Sequence, residues 1–186
     1  MTVTYFHRYR MRCDLREGLL DGFETPANYH LEPWSPRLLE DHAMAKCRSF
    51  QSEMDSNVFP CLGDEDGCLK LMKEISCRQG FVASATWLAR FTDPENGAVE
   101  NCGTIQGISD QVDVGSIQNI GIVPNHRSRG LGQCLLNQSL LGFAEVGIKF
   151  VTLEVTSHNT GALRLYEKMG FRIVRTVYKS IDLAYD

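Results

Sequence analysis

Arg127, Gly130 and Gly132 stand as Arg-x-x-Gly-x-Gly, with Arg129 inside the spacing. Leu131, Cys134, Leu135 and Gln138 follow at helical intervals. The run before the motif, Ile120, Gly121, Ile122 and Val123, is apolar and rich in β-branched residues, and it ends at Pro124, which has no N–H to give to a ladder. A strand therefore feeds a basic, glycine-bearing loop that opens a helix. The first N–H groups of a helix lack intrahelical acceptors, and the aligned peptide dipoles place about half a positive charge there. Glycine lets a ligand approach that backbone closely. The chemistry is anion binding, with a phosphate or pyrophosphate as guest; the alternative is an ordinary helix start with two solvated arginines. No Gly-Lys-Ser/Thr follows, so this is not a Walker A loop. The missing third glycine and the residues between strand and Gly130 separate it from the dinucleotide fingerprint.

A second stretch adds to this reading. Val151 to Val155 is a short strand, and Ser157, His158 and Asn159 offer helix caps. Ala162, Leu165, Tyr166 and Met169 recur on one helical face, and Gly170 stops the helix before Phe171 opens another strand. The order strand, anion loop, helix, strand, capped helix, Gly-Phe, strand resembles the GNAT superfamily of N-acyltransferases. The resemblance is carried by Arg127, Gly130 and Gly132, then by Asn159, Ala162, Tyr166, Glu167, Lys168, Gly170 and Phe171. Residues before about 110 match only in general layout.

The resemblance implies a mixed, largely antiparallel sheet flanked by about four helices. It implies acetyl-CoA or another acyl-CoA as co-substrate and acetyl transfer to a primary amine. The pyrophosphate would lie on the N–H groups around Ser128, Arg129, Gly130, Leu131 and Gly132. Backbone from Ile120 through Gly121 and Ile122 to Val123 would pair with the pantetheine arm, in an opening made by a strand bulge for which Gly121 is the expected place. Asn159 matches a position that contacts the cofactor arm, and a helix cap is its other role. Tyr166 matches the general acid near the thioester sulfur. A thiol of pKa near 8.5 is already a fair leaving group, so the hydroxyl could chiefly stabilise developing thiolate, or the ring could simply pack. Arg164 and Lys168 are not assigned to the ribose phosphate. The base is unassigned, because Ser116, Ile117, Gln118 and Asn119 include no acid, and neither Glu100, Asp113 nor Glu154 is marked by spacing. That gap keeps a second reading open, a non-catalytic acyl-CoA-binding or sensing module.

Other segments must position these groups. Residues 2–13 alternate as a first strand with Arg8, Arg10 and Arg12 on one face, read as solvated. Residues 18–34 read as irregular, with Gly22, Pro26 and Pro33; Tyr29 and Trp34 are assigned to packing rather than to a pocket. Ser35 and Pro36 start a helix whose stripe is Leu39, Ala43, Cys47, Phe50 and Met54. A polar loop runs from Asp55 to Gly67. Its acids Asp64, Glu65 and Asp66 suit the start of a second helix with Cys68, Leu71, Met72 and Ile75, although binding a cationic substrate is the alternative. Strands follow at 81–91, Val99–Ile108 and Ser116–Val123, the first two joined at Asn96-Gly97.

With 186 residues, 43% of them apolar, the chain is read as one domain, 1–186. A net charge of −4 gives no reason to expect nucleic acid, and no run approaches the ~18 apolar residues of a membrane span. The first residues contain no signal-peptide core, so a cytoplasmic protein is expected. Seven scattered cysteines argue against a disulfide framework and fit no common zinc spacing, so no metal is expected. Small amines, amino acids, antibiotics and peptide N-termini all remain open as acceptors, and a homodimer is left open too.

Overall fold

The computed structural model of the chain describes residues 2–18, 23–53, 56 and 58–183. Gly22, Met54 and Asp55 lie outside them. The described strands form one seven-stranded sheet in the order β2-β3-β4-β5-β6-β1-β7. These are β1 (Thr2–Asp14), β2 (Tyr29–Pro33), β3 (Phe81–Thr92), β4 (Val99–Gln111), β5 (Val114–Ile122), β6 (Phe150–Thr156) and β7 (Arg172–Leu183). All neighbours are antiparallel except β5 and β6, which run parallel. The N-terminal strand β1 is inserted between β6 and β7, so the two ends of the chain close one side of the sheet.

Four α-helices among the described residues cover the two faces: α1 (Leu39–Phe50), α2 (Glu65–Ser76), α3 (Leu131–Glu145) and α4 (Thr160–Lys168). The alternation of β4 shows how the faces differ. Gly103 and Gly107 turn toward α3, where an added Cβ would lie 3.1 Å from Leu135 and 2.6 Å from Phe143. Thr104 and Gln106 turn the other way, to His42 of α1. The α3 side is the main apolar core, with Ile105, Leu135, Leu140, Phe143, Val151 and Phe171. Helix α3 presses hard on β3: a Cβ at Gly142 would sit 1.8 Å from the Ser84 carbonyl oxygen, so only glycine fits there. On the other face α1 and α2 make a smaller cluster from Ala43, Cys47, Leu62, Cys68 and Met72.

Two local expectations change and two hold. Residues 29–33, read as irregular, form the edge strand β2 against β3; five residues are too few for a strong alternation signal, and Pro33 is tolerated because an edge strand has a free side. Ser35 makes no side-chain cap; Pro36 opens a short 3-10 turn that leads into α1, and α1 ends at Phe50. The acids before α2 do serve the helix, since Asp64 accepts the Gly67 N–H at 2.8 Å. Tyr29 and Trp34 both pack, Tyr29 against Phe91 and Trp34 against His42 and Phe81. All seven cysteines are free thiols. No helix among the described residues is long and apolar enough to cross a membrane.

Candidate functional site

Strands β5 and β6 pair only at Val114 with Phe150, Gly115 with Val151 and Ser116 with Thr152. Beyond Ser116 the two strands part. On its other edge β5 stays on β4, but the register slips: Asn119 faces Gln106 while Ile117 faces Gly107, leaving Gln118 as the extra residue. The bulge is therefore at Gln118 and not at Gly121. Gly121 has a different reason to be glycine, because a Cβ there would lie 2.7 Å from Ser49 Cβ and 2.8 Å from Phe50 where α1 crosses the strand. A bulge raises local twist and bends its strand, which turns β5 away from β6.

Two cavities occupy the opening. One, of about 460 Å³, runs beside Ile120, Gly121 and Ile122, along Arg127, Ser128, Gly130, Leu131 and Gly132, to Asn159 and Tyr166. The other, of about 440 Å³, lies toward β1 and β6 and is lined by Arg8, Arg10, Phe59, Gln118, Asn119 and Glu154 among others. Phe50, Ile120, Asn159, Ala162 and Tyr166 line both. Tyr166 is 6% exposed and its ring sits 6.0 Å from that of Phe171. It thus stands at the junction of the two spaces.

The loop geometry follows from its sequence. Ser128 and Gly130 have φ of 60° and 86°, and Gly130 is the N-cap of α3. The helical ladder begins when Gln133 N–H reaches the Gly130 carbonyl at 3.0 Å, so the N–H groups just before it have no helical acceptor. A Cβ on Gly130 would meet nothing within 4 Å, which leaves the backbone open on that side. Val123 is turned inward, its N–H on the Cys102 carbonyl at 2.9 Å. The arginines are not the free cations that the sequence suggested. Arg127 donates to the Ile122 carbonyl at 3.0 Å, to the Ser49 carbonyl at 3.0 Å and to Glu53 at 2.6 Å. It ties the end of β5 to the end of α1. Arg129 donates to the Asn125 carbonyl at 3.3 Å. Glu53 thus offsets the charge of Arg127, while Arg129, bonded to a neutral carbonyl, keeps its charge beside the main-chain N–H groups of the loop. Asn159 caps α4, accepting the Ala162 N–H at 3.1 Å.

Further side chains brace this region. His126 is buried, with Nδ1 2.8 Å from the Tyr29 hydroxyl and Nε2 3.1 Å from Glu100. Burial alone would raise the Glu100 carboxyl, but hydrogen bonds from Arg48 and His126 hold it below the usual range. Beneath the opening, Lys46 of α1 is fully buried and donates to Asn119 Oδ1 at 2.9 Å. Burial pushes its ammonium down to about 7. His42, next along α1, is pushed down by burial and by Lys46 to about 3, and stays neutral.

Arg8, expected on a solvated face, is instead buried and lines the second cavity; Arg10 stays exposed, as expected, while it and Glu154 border the same cavity. Strand alternation correctly placed the two arginines together. It could not show that their face looks into an opening, because that depends on β6 as neighbour. Asp113 lies elsewhere, paired with Lys149 at 2.8 Å.

Comparison with known proteins agrees with this architecture. Residues 29–171 match the Acetyltransferase (GNAT) family. A mycothiol acetyltransferase from Mycobacteroides abscessus is 37% identical over 76 residues, which cover 41% of this chain and 24% of that protein. A ribosomal-protein alanine N-acetyltransferase from Escherichia coli is 32% identical over 91 residues, 47% of this chain and 60% of that one. The matches thus span less than two thirds of either relative. A GCN5-related N-acetyltransferase structure from Sphaerobacter thermophilus superposes with a TM-score of 0.68 at 20% identity, covering 94% of this chain and 50% of that one.

Proposed function

The chain belongs to the GNAT acetyltransferase family, and within it we propose that it transfers an acetyl group from acetyl-CoA to a primary amine. The observation that carries the reading is the meeting of two cavities at Tyr166 in the gap between β5 and β6. The residues fit such a co-substrate. The Ser128–Gly132 main chain offers N–H groups for the pyrophosphate, with the side of Gly130 left open. Ile120–Ile122 offers a strand edge that β6 has vacated. Acetyl-CoA brings the activated acyl group as a thioester.

The roles of the chain's own residues follow. Ile120, Gly121 and Ile122 hold the pantetheine arm as a strand would, so that the thioester lies near Tyr166. Arg127 fixes the end of that strand rather than contacting phosphate itself. Asn159 holds the first turn of α4 and so sets the position of Tyr166. The amine enters through the cavity of Arg8, Arg10 and Glu154 and attacks the carbonyl at the junction. The Tyr166 hydroxyl donates to the departing sulfur, acting as acid or as a stabiliser of thiolate. No base is assigned. Gln118 and Asn119 stand where an acid would serve, and Glu154 is engaged by Arg10 at 2.8 Å, so the reading relies on amine that is already neutral.

Calorimetric titration with acetyl-CoA, free CoA and ATP tests the reading. Micromolar binding of the first two and not of ATP is the expected result, followed by thiol release with an amine. A folded protein that ignores CoA would overturn it. Tight binding without transfer to any amine would leave an acyl-CoA sensor, which the missing acid on β5 would then explain.

A further inference from the structure

Consecutive residues of a regular strand point to opposite faces. At the β5 bulge this alternation fails: Gln118 is the extra residue, and Gln118 and Asn119 both line the cavity on the β1–β6 side. Each carries a neutral amide that is held at one end only. Lys46, fully buried in α1, donates to Asn119 Oδ1 at 2.9 Å. A lysine nitrogen carries N–H donors, so it takes the carbonyl end and leaves the amino group of Asn119 as a donor. Gln118 is held the other way round. Its Nε2 donates to Ser116 Oγ at 3.2 Å, which leaves Oε1 as an acceptor. Neither remaining end has a hydrogen-bond partner among the described residues, and neither is sealed in the interior. One donor and one acceptor thus stand on neighbouring residues of the cavity wall. A second observation concerns protons. Strand β5 carries no acid. Glu154 is the one carboxylate among the described residues lining this cavity, and Arg10 holds it at 2.8 Å. Such a site favours an amine that is already neutral.

We infer that the acceptor is an aminoacyl amide, with its amine on the carbon next to the carbonyl, and that Gln118 receives an N–H of that amine while Asn119 donates to the carbonyl oxygen. This rests on the acetyl-transfer reading, which makes this cavity the amine's entrance. In an extended aminoacyl unit the nitrogen and the carbonyl oxygen lie on one edge, as they do when a strand residue exchanges both hydrogen bonds with its partner. The two side-chain amides offer the matching acceptor and donor, and no charge is buried in the pairing. An N–H given to Gln118 Oε1 leaves the nitrogen lone pair for the acetyl carbonyl. An amine beside a carbonyl has a pKa of about 7.8, so at pH 7 about 300-fold more of it is neutral than of a lysine-like amine at about 10.4. That suits a site without a base. At about 440 Å³ the cavity takes a small molecule of this kind or the first residues of a peptide. Polyamines and alkylamines are mostly protonated at pH 7 and leave the Asn119 donor unpaired.

The experiment compares three amines by thiol release with acetyl-CoA: alaninamide, its isomer β-alaninamide, whose amine stands one carbon farther from the carbonyl, and 2-amino-3-methylbutane, which has the shape of alaninamide and no carbonyl. With kcat/KM expressed per neutral amine, alaninamide is expected to lead both by about 10- to 100-fold. Asn119→Asp keeps an acceptor for Lys46 but removes the donor, and should bring that lead close to one. Gln118→Leu should lower turnover of all three alike, and it carries the test if the Asn119 variant does not fold. A tripeptide with N-terminal alanine separates the sources: a higher kcat/KM than alaninamide points to a peptide end and a lower one to a small molecule, and either upholds the aminoacyl amide. The same amines are titrated calorimetrically without acetyl-CoA. A lead for alaninamide there, in a protein that does not bind acetyl-CoA, upholds the amide pair and removes the acetyl-transfer reading. Leads near one by turnover and by binding overturn the inference, as does a protein that neither acetylates nor binds any of the three. A lead that survives in folded Asn119→Asp, or undiminished turnover in folded Gln118→Leu, overturns it too.

Discussion

The cavity beside the Arg127–Gly132 loop borders main-chain features: a vacated strand edge at Ile120–Ile122, left-handed residues at Ser128 and Gly130, and a helix start. The cavity on the β1–β6 side is bordered by polar and charged residues such as Arg8, Arg10, Gln118, Asn119 and Glu154, drawn from β1, β5 and β6, with α2 and the connection before it closing one side. The first depends on groups every residue possesses, so its demands on sequence are glycines, a proline stop and spacing. The second depends on which side chains happen to face inward. A main-chain site suits a ligand that stays the same across a family, and a side-chain site suits one that varies. The acceptor is therefore to be sought at Arg8, Arg10, Gln118, Asn119 and Glu154 rather than in the loop.

The sharpest way to break that division is Gly130→Glu. Its φ of 86° makes any side chain strained, at roughly 1 kcal/mol, and a carboxylate would stand in open space beside the N–H groups. Acetyl-CoA affinity should fall by more than about 100-fold. Glu154→Gln, in the other cavity, should leave acetyl-CoA affinity within about twofold while changing acceptor KM. Both variants are compared by calorimetry after thermal melting has shown that they fold. If Glu154→Gln weakens acetyl-CoA as much as Gly130→Glu does, the two cavities are not separable sites.

Tyr166→Phe tests the junction itself. Removing the hydroxyl keeps the ring contact with Phe171 and should lower kcat by about 10- to 10³-fold, with acetyl-CoA affinity nearly unchanged. Equal turnover would reduce Tyr166 to packing.

What could be read beforehand divides along the same line. The order of elements from Ile120 to Phe171, the α3 start at Gly130 and the cap at Asn159 are local features, set by residues within a few positions of one another. The two-cavity geometry was not readable, because it depends on pairings far apart in sequence. The insertion of β1 between β6 and β7 joins residues such as Arg8 and Thr156, and that insertion turns an apparent solvent face inward. The bulge at Gln118 needed the β4 register, since no glycine or proline marks it. Arg127 shows a second thing that motif spacing hides. Its place in the motif suggested an anion contact, whereas Glu53, Ser49 and Ile122 already use its guanidinium.

Lys46 offers the subtlest test, because it supports one side of the opening from below. Burial lowers its ammonium from 10.5 to about 7. Between those values the unfolded chain holds a proton that the folded chain has released, so stability rises with pH; below about 7 both forms are protonated and the slope disappears. Above about pH 8.5 buried thiols oppose it, since burial has pushed Cys68 and Cys102 up to about 12 and unfolding lets them ionise. The clean window is therefore pH 7 to 8.5, where Lys46 should add about 2 kcal/mol to stability. Lys46→Met should lose that rise, as read from urea unfolding at the two ends of the window. It also takes the donor from Asn119, which lines the side-chain cavity and not the loop cavity. Acceptor KM should then move while acetyl-CoA affinity holds. Equal pH slopes in the two proteins would mean that the folded state keeps Lys46 charged through the window. The polar layer under the opening would then be a paired cation rather than a neutral amine.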